Sequence, residues 1–212
     1  SAVKGLLSIY LPSLSGGGAE RAMLTLANAF VARGLPVDLV LAKAEGPYLK
    51  DVADGVRVVD LGASRVMTSL PGLVRYLRRE QPLAMLSALN HANVVAAAAR
   101  RLARVPTRMV VSEHNSPKSS LSNANSLRGR WMAHFMRWAY PQTDGVVTAS
   151  KGVADDLASV IGLERERIEV VYNPIDISHV TTLSKRPLQH PWYIDRSLPL
   201  IVAAGRLTRQ KD

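Results

Sequence analysis

Ser15-Gly16-Gly17-Gly18-Ala19-Glu20-Arg21 sets three consecutive glycines directly ahead of a segment with helical apolar spacing. Glycines in such a place let a backbone approach a phosphate, and the unpaired N–H groups of a following helix attract an anion. A flexible turn without a ligand is the plainer alternative. The dinucleotide fingerprint G-x-G-x-x-G does not fit, because Arg21 stands where its third glycine belongs and Lys43 where its ribose-binding acid is expected. No Gly-Lys-Ser/Thr follows, so the loop is not a P-loop either. A second group is Ser112-Glu113-His114-Asn115, at the end of an apolar run. A neutral imidazole at the carboxyl end of a strand can donate to, or accept from, a hydroxyl; a structural histidine is the competing reading. His91, behind another apolar run, is a further candidate of the same kind. Near the end of the chain, Arg206 and Lys211 follow an apolar run, where two cations could clamp a diphosphate. A solvated charge run is the alternative there. Asn173-Pro174-Ile175-Asp176 by itself reads as a turn.

Other chemistries are excluded. The 212 residues include no cysteine, which removes disulfides, thiolate metal sites and cysteine nucleophiles and fits a reducing compartment. The five histidines show no H-x-x-x-H spacing, and no G-x-S-x-G elbow is present, so no metal is expected. Hydrophobic residues make up 47% and charged residues 21%, an ordinary globular balance. A net charge of +10 favours anionic partners. Nucleic acid is not expected, because aromatics are only 5% and the arginines are scattered along most helical segments. No apolar run approaches the ~18 residues of a membrane span, and the opening residues carry no signal-peptide pattern.

Apolar runs and helical stretches alternate almost throughout. Strands are expected over Val3–Tyr10, Val37–Ala42, Val56–Leu61, Leu83–Leu89, Arg108–Ser112, Gly145–Ser150 and Ile168–Tyr172. Helices are expected over Ala19–Arg33, Leu73–Arg79, Asn93–Arg104, Leu127–Tyr140 and Lys151–Ile161. The strands read as continuous apolar runs, the mark of a sheet covered on both faces and therefore parallel. The fold class is α/β, a Rossmann-like doubly wound parallel sheet. Residues 1–177 form this domain and 178–198 a proline-punctuated linker; 199–212 begin a second domain, with Leu200–Ala204 as its first strand. In Leu127–Tyr140, Leu127, Trp131, Phe135 and Trp138 share one side of the wheel and Arg130, His134 and Arg137 the other. Packing of the aromatic side on the sheet is the default for such a stripe; two tryptophans beside arginines also suit a membrane interface.

Taken together, the GGGAER loop after the first strand, the EHN after the fifth, NPID at the domain exit and AAGRLTRQKD at the end resemble family-4 glycosyltransferases of the GT-B fold. The resemblance covers the whole chain. It implies two Rossmann-like lobes, this being the N-terminal, acceptor-side one with the start of the second. It implies transfer of a sugar with retention from a nucleotide-sugar donor to a sugar or lipid-linked acceptor, with no metal. By resemblance Gly16, Gly17 and Gly18 approach the donor phosphate, His114 lies near the donor sugar, and Arg206 and Lys211 neutralise the leaving diphosphate. His91 and Asn115 fall to the acceptor side. A cytoplasmic protein at the inner membrane face is implied, drawn to anionic lipid. The family's paired glutamates have no counterpart before Asp212, so residues 1–212 alone are expected to be inactive. A GT-B sugar-nucleotide epimerase, or a non-enzymatic anion-binding module, remains the alternative.

Overall fold

A computed structural model describes residues 5–117, 127–194 and 199–202. Seven strands, β1 (Leu7–Leu11), β2 (Val37–Leu41), β3 (Val56–Asp60), β4 (Ala84–Ala88), β5 (Arg108–Glu113), β6 (Gly145–Thr148) and β7 (Ile168–Val170), form one sheet in the order β3-β2-β1-β4-β5-β6-β7. Every pair is parallel, with Leu7 opposite both Val37 and Ala84. Among the described residues the helices are α1 (Gly18–Ala32), α2 (Leu70–Glu80), α3 (Asn90–Ala103), α4 (Leu127–Ala139), α5 (Lys151–Ile161), α6 (Ile177–Ser184) and the single turn α7 (Pro191–Ile194).

Local chemistry explains the boundaries. Pro71 opens α2, and Gln81 in the left-handed region followed by Pro82 closes it. Helix α5 starts where Ser150 Oγ accepts from Val153 N and stops at Gly162, φ +71°. The first strand begins at Leu7 rather than Val3; residues 1–4 lie outside the described ones.

Alternation along the strands separates two cores. Ile9, Leu11, Leu39 and Leu41 pack on α1, whereas Tyr10, Val40, Met109 and Val111 pack among α2, α3, α4 and α5. This follows from right-handed crossovers: the chain moves one way from β1 to β3 and the other way from β3 to β7, so α1 takes one face and the later helices the opposite one. Both faces are not covered everywhere. At the β3 edge Arg57, Val58 and Asp60 are exposed. On the α1 face, Leu86, Val110 and Val147 border an open apolar groove of about 380 Å³.

Two sequence readings change here. Seven arginines gather on one side of the sheet. Crossover handedness brings α2, α3, α4 and α5 to one face with Arg75, Arg78, Arg79, Arg100, Arg101, Arg130 and Arg137; Glu80 on α2, Asp155 and Asp156 on α5, and Asp144, paired with Arg100 at 3.3 Å, are among the acids beside them. On α4 the aromatic stripe does not pack on the sheet. Met136 and Ala139 are buried, with Met132 packed beside them, and Trp131 is 61% exposed with Phe135 and Trp138 also outward. Aromatic and basic residues therefore share the outer surface of the helix. A buried acid, Asp38, is structural: Arg57 pairs with it at 2.7 Å and Tyr76 Oη donates to it at 2.6 Å.

The chain divides into residues 1–174 and 175–212. In the second unit, Asp176 caps α6 by accepting from His179 N at 2.9 Å. Of the expected strand Leu200–Ala204, residues 203 and 204 lie outside the described ones, and no ladder includes 200–202.

Candidate functional site

In an open α/β sheet, ligands bind beyond the carboxyl ends of the strands, at the point where the strand order reverses. Here that point lies between β1 and β4. The glycine loop follows β1, His91 follows β4, and His114 follows β5.

Gly16 is the loop position that demands glycine, with φ +104°. Tyr48 Oη donates to its carbonyl at 3.3 Å, and Arg21 lies 4.5 Å over the Tyr48 ring while pairing with Asp51 at 2.7 Å. The loop is thus braced from the segment before β3. Gly17 is the residue before α1, and the Glu20 carboxylate folds directly against it. A carboxylate already occupies the favourable electrostatic position in the first turn, so an incoming phosphate must displace it. Gly18 faces open space.

His91 sits in the first turn of α3. Asn90 Oδ1 accepts from its backbone N at 2.6 Å and lies 3.0 Å from its Nδ1. Burial pushes its imidazole below the ordinary value, against an upward pull from Glu20. The turn that presents it is strained: Leu89, at the end of β4, takes φ +78°, a conformation that costs a branched side chain about 1–3 kcal/mol.

His114 points to the α1 face, where it lines the apolar groove with Ser112, Met23 and Asn173. Burial lowers its imidazole as well, and Asn173 partly offsets this. Both histidines are consequently neutral at physiological pH. Ser112 Oγ holds His114 Nε2 at 3.0 Å, while Nδ1 is enclosed with no hydrogen-bond partner among the described residues. The Asn173 side chain is also a hydrogen-bond partner of this ring, so a ligand hydroxyl could bond His114 only if the side chains enclosing the ring moved aside. Asn115, next along, is exposed. Arg206 and Lys211 lie outside the described residues. Among the described residues no group of three or more His, Asp or Glu could hold a metal ion.

Behind this edge, on the helix face, Glu113 is enclosed with Tyr140 and Asn93. The Tyr140 hydroxyl donates to Glu113 Oε1, and Asn93 Nδ2 lies 3.2 Å from the same oxygen. Burial pushes this carboxyl up to about 7, against the lowering effect of both hydrogen bonds. Sequence reading did not single out Glu20 or this cluster. Glu20 is legible as an acid three residues after the glycine that starts a helix; Asn93 is legible only as a polar residue on an otherwise alanine-rich helix.

The fold is that of a GT-B-type lobe. The model of "Glycosyltransferase Family 4" matches residues 16–179, and the chain belongs to that family. A curated relative, an N-acetylgalactosamine-N,N'-diacetylbacillosaminyl-diphospho-undecaprenol 4-alpha-N-acetylgalactosaminyltransferase of Campylobacter jejuni, is 26% identical over 219 residues, covering 97% of this chain and 56% of its own length. Among solved structures, Anabaena HepE in complex with UDP-glucose superimposes with a TM-score of 0.62 at 18% identity, over 82% of this chain and 45% of that one. A UDP-N-acetylglucosamine 2-epimerase from Rickettsia bellii gives 0.53 at 12% identity, over 79% and 44%. The chain spans about half the length of the relatives it matches.

Proposed function

We propose that this chain is the acceptor-side half of a glycosyltransferase that moves a sugar from a nucleotide-sugar donor to a sugar or lipid-linked acceptor with retention of configuration. The observation that carries this reading is the gathering of the glycine loop, His91 and His114 at one sheet edge of a family-4 chain. His114 engages a hydroxyl of the donor sugar once the side chains enclosing its ring move aside. The N–H groups around Gly16–Gly18 receive the donor phosphate once Glu20 swings aside. Arg206 and Lys211 neutralise the diphosphate as it leaves, without a metal. His91 and Asn115 meet the acceptor. The UDP-glucose in the Anabaena neighbour and the diphospho-undecaprenol in the name of the Campylobacter relative support this choice of donor and acceptor class. Residues 1–212 alone are expected to be inactive, since they supply one wall of a two-walled cleft. The test is incubation of the full-length protein with nucleotide sugars and a polyprenyl-diphosphate-linked sugar, with and without EDTA, and NMR of the product's anomeric proton. An epimerised nucleotide sugar and no transfer would select the reading that the Rickettsia neighbour supports.

The reading extends to the cytoplasmic face of a membrane. The basic face of α2, α3 and α4, with Trp131, Phe135 and Trp138 outward, combines the charge and the interfacial aromatics that an anionic bilayer attracts, at roughly 1 kcal/mol per arginine near the surface. Among the described residues no helix is long and apolar enough to cross a membrane, so contact through this face would be peripheral. Salt-sensitive binding to vesicles containing phosphatidylglycerol, and little to phosphatidylcholine, is expected. Because aromatics and arginines also suit nucleic acid, preference for single-stranded DNA over the anionic vesicles would reassign the face.

A further inference from the structure

Directly behind the two histidines the fold buries a carboxyl group without a cation to pair it among the described residues. Glu113 is 4% exposed in a core of apolar side chains, and no cation faces it among its described partners. Replacing Glu113 alone by leucine would leave the buried Tyr140 hydroxyl and Asn93 amide without this acceptor, so the carboxyl is held as one member of a hydrogen-bonded set.

What the carboxyl does is geometric. Glu113 is the last residue of β5, with its side chain on the helix face and that of His114 on the opposite one. Its oxygen is bonded by Tyr140, in the turn after α4, and by Asn93, in the first turn of α3. Asn93 Nδ2 also lies 3.0 Å from the Ser112 carbonyl and 3.0 Å from Tyr140 Oη. That carbonyl accepts from the strained Leu89 N at 3.3 Å, and the Glu113 carbonyl accepts from Ala149 N at 3.0 Å. One buried cluster therefore ties the strand end that carries His114 to the helix start that carries His91. Ser112, held by its carbonyl, in turn holds His114 through its hydroxyl.

We propose that Glu113 is a positioning residue: braced by Asn93 and Tyr140, it fixes the end of β5 against the first turn of α3 and so sets where His114 and His91 stand. The proposal rests on the glycosyl-transfer reading for what the histidines do, but not for how they are placed.

The test uses full-length protein carrying labelled histidine, with the His114 imidazole titration followed by NMR in the absence of ligand and steady-state transfer kinetics measured alongside. In Glu113→Leu and Tyr140→Phe, the His114 titration midpoint is expected to move. The kcat is expected to fall about ten- to a hundredfold, the loss that a misplacement near 1 Å produces, with the donor KM little changed. An unmoved His114 titration in variants that fold overturns the proposal, whatever happens to kcat. If Glu113→Leu does not fold, Tyr140→Phe and the isosteric Glu113→Gln decide by the same readings. A moved titration together with full transfer by His114→Ala would leave the positioning intact and remove His114 from the reaction.

Discussion

Glu113 also sets how the first unit's stability depends on pH. Its carboxyl is raised from 4.5 to about 7, chiefly by burial. Between those values the unfolded chain has released this proton while the folded chain keeps it. The folded state binds more protons, so stability falls as pH rises across this window. Each unit is worth 1.36 kcal/mol, which makes the whole effect about 3 kcal/mol above pH 7. Glu113→Gln keeps the shape and removes the titration. Urea unfolding of wild type and variant at pH 5 and at pH 8, compared as a difference, isolates it. His91 and His114, held low by burial, act oppositely, losing stability as pH falls below the ordinary histidine value of 6.5; because Glu113→Gln is itself expected to move His114, the comparison is repeated in a His91→Ala/His114→Ala background, which removes their contribution. The variant's stability relative to wild type is expected to rise by roughly 2–3 kcal/mol from pH 5 to pH 8. A difference that stays flat would refute a buried, proton-holding Glu113.

Glu20→Ala removes the carboxylate lying against Gly17 and should tighten binding of UDP at the glycine loop by about two- to fivefold in calorimetry, the value of one charge near a helix N-terminus; unchanged or weaker binding would show that Glu20 does not compete with the phosphate. Gly16→Ala should cost about 1–2 kcal/mol of stability because of its positive φ, whereas Gly18→Ala, facing open space, should be close to neutral in the same denaturation experiment; equal costs would contradict the loop geometry. Trp131→Ala combined with Trp138→Ala should weaken binding to anionic vesicles at least severalfold with the thermal midpoint nearly unchanged, since neither side chain is in the core; a large drop in the midpoint would return the stripe to a packing role.

The sheet was legible because each strand is a compact apolar run between turn residues, and α5 was legible to its ends because Ser150 is a strong start signal and Gly162 a strong stop signal. The glycine loop and both histidines stood out for the same reason, each directly following such a run. What stayed hidden depends on three-dimensional placement. The wheel of α4 offers two apolar stripes, and only the packed structure shows that Met132, Met136 and Ala139, not the tryptophans, face the sheet. Seven arginines spread along the sequence come to one side of the sheet because every crossover from β3 onward falls on one face. Asn93, Glu113 and Tyr140 are far apart in sequence and meet only where β5 passes between α3 and the turn after α4. The helix expected over Leu73–Arg79 runs from Leu70 to Glu80, with Pro71 in its first turn, where proline is tolerated.

Proposed sugar transfer at the β1–β4–β5 edge through His114 is read by NMR and mass analysis of the full-length protein's product from a UDP-sugar and a polyprenyl-diphosphate-linked acceptor, beside His114→Ala. One added sugar with the donor's anomeric configuration is expected, formed on the order of a hundredfold more slowly by the variant while it remains folded. Equal rates for wild type and His114→Ala, or a product of inverted configuration, would contradict it.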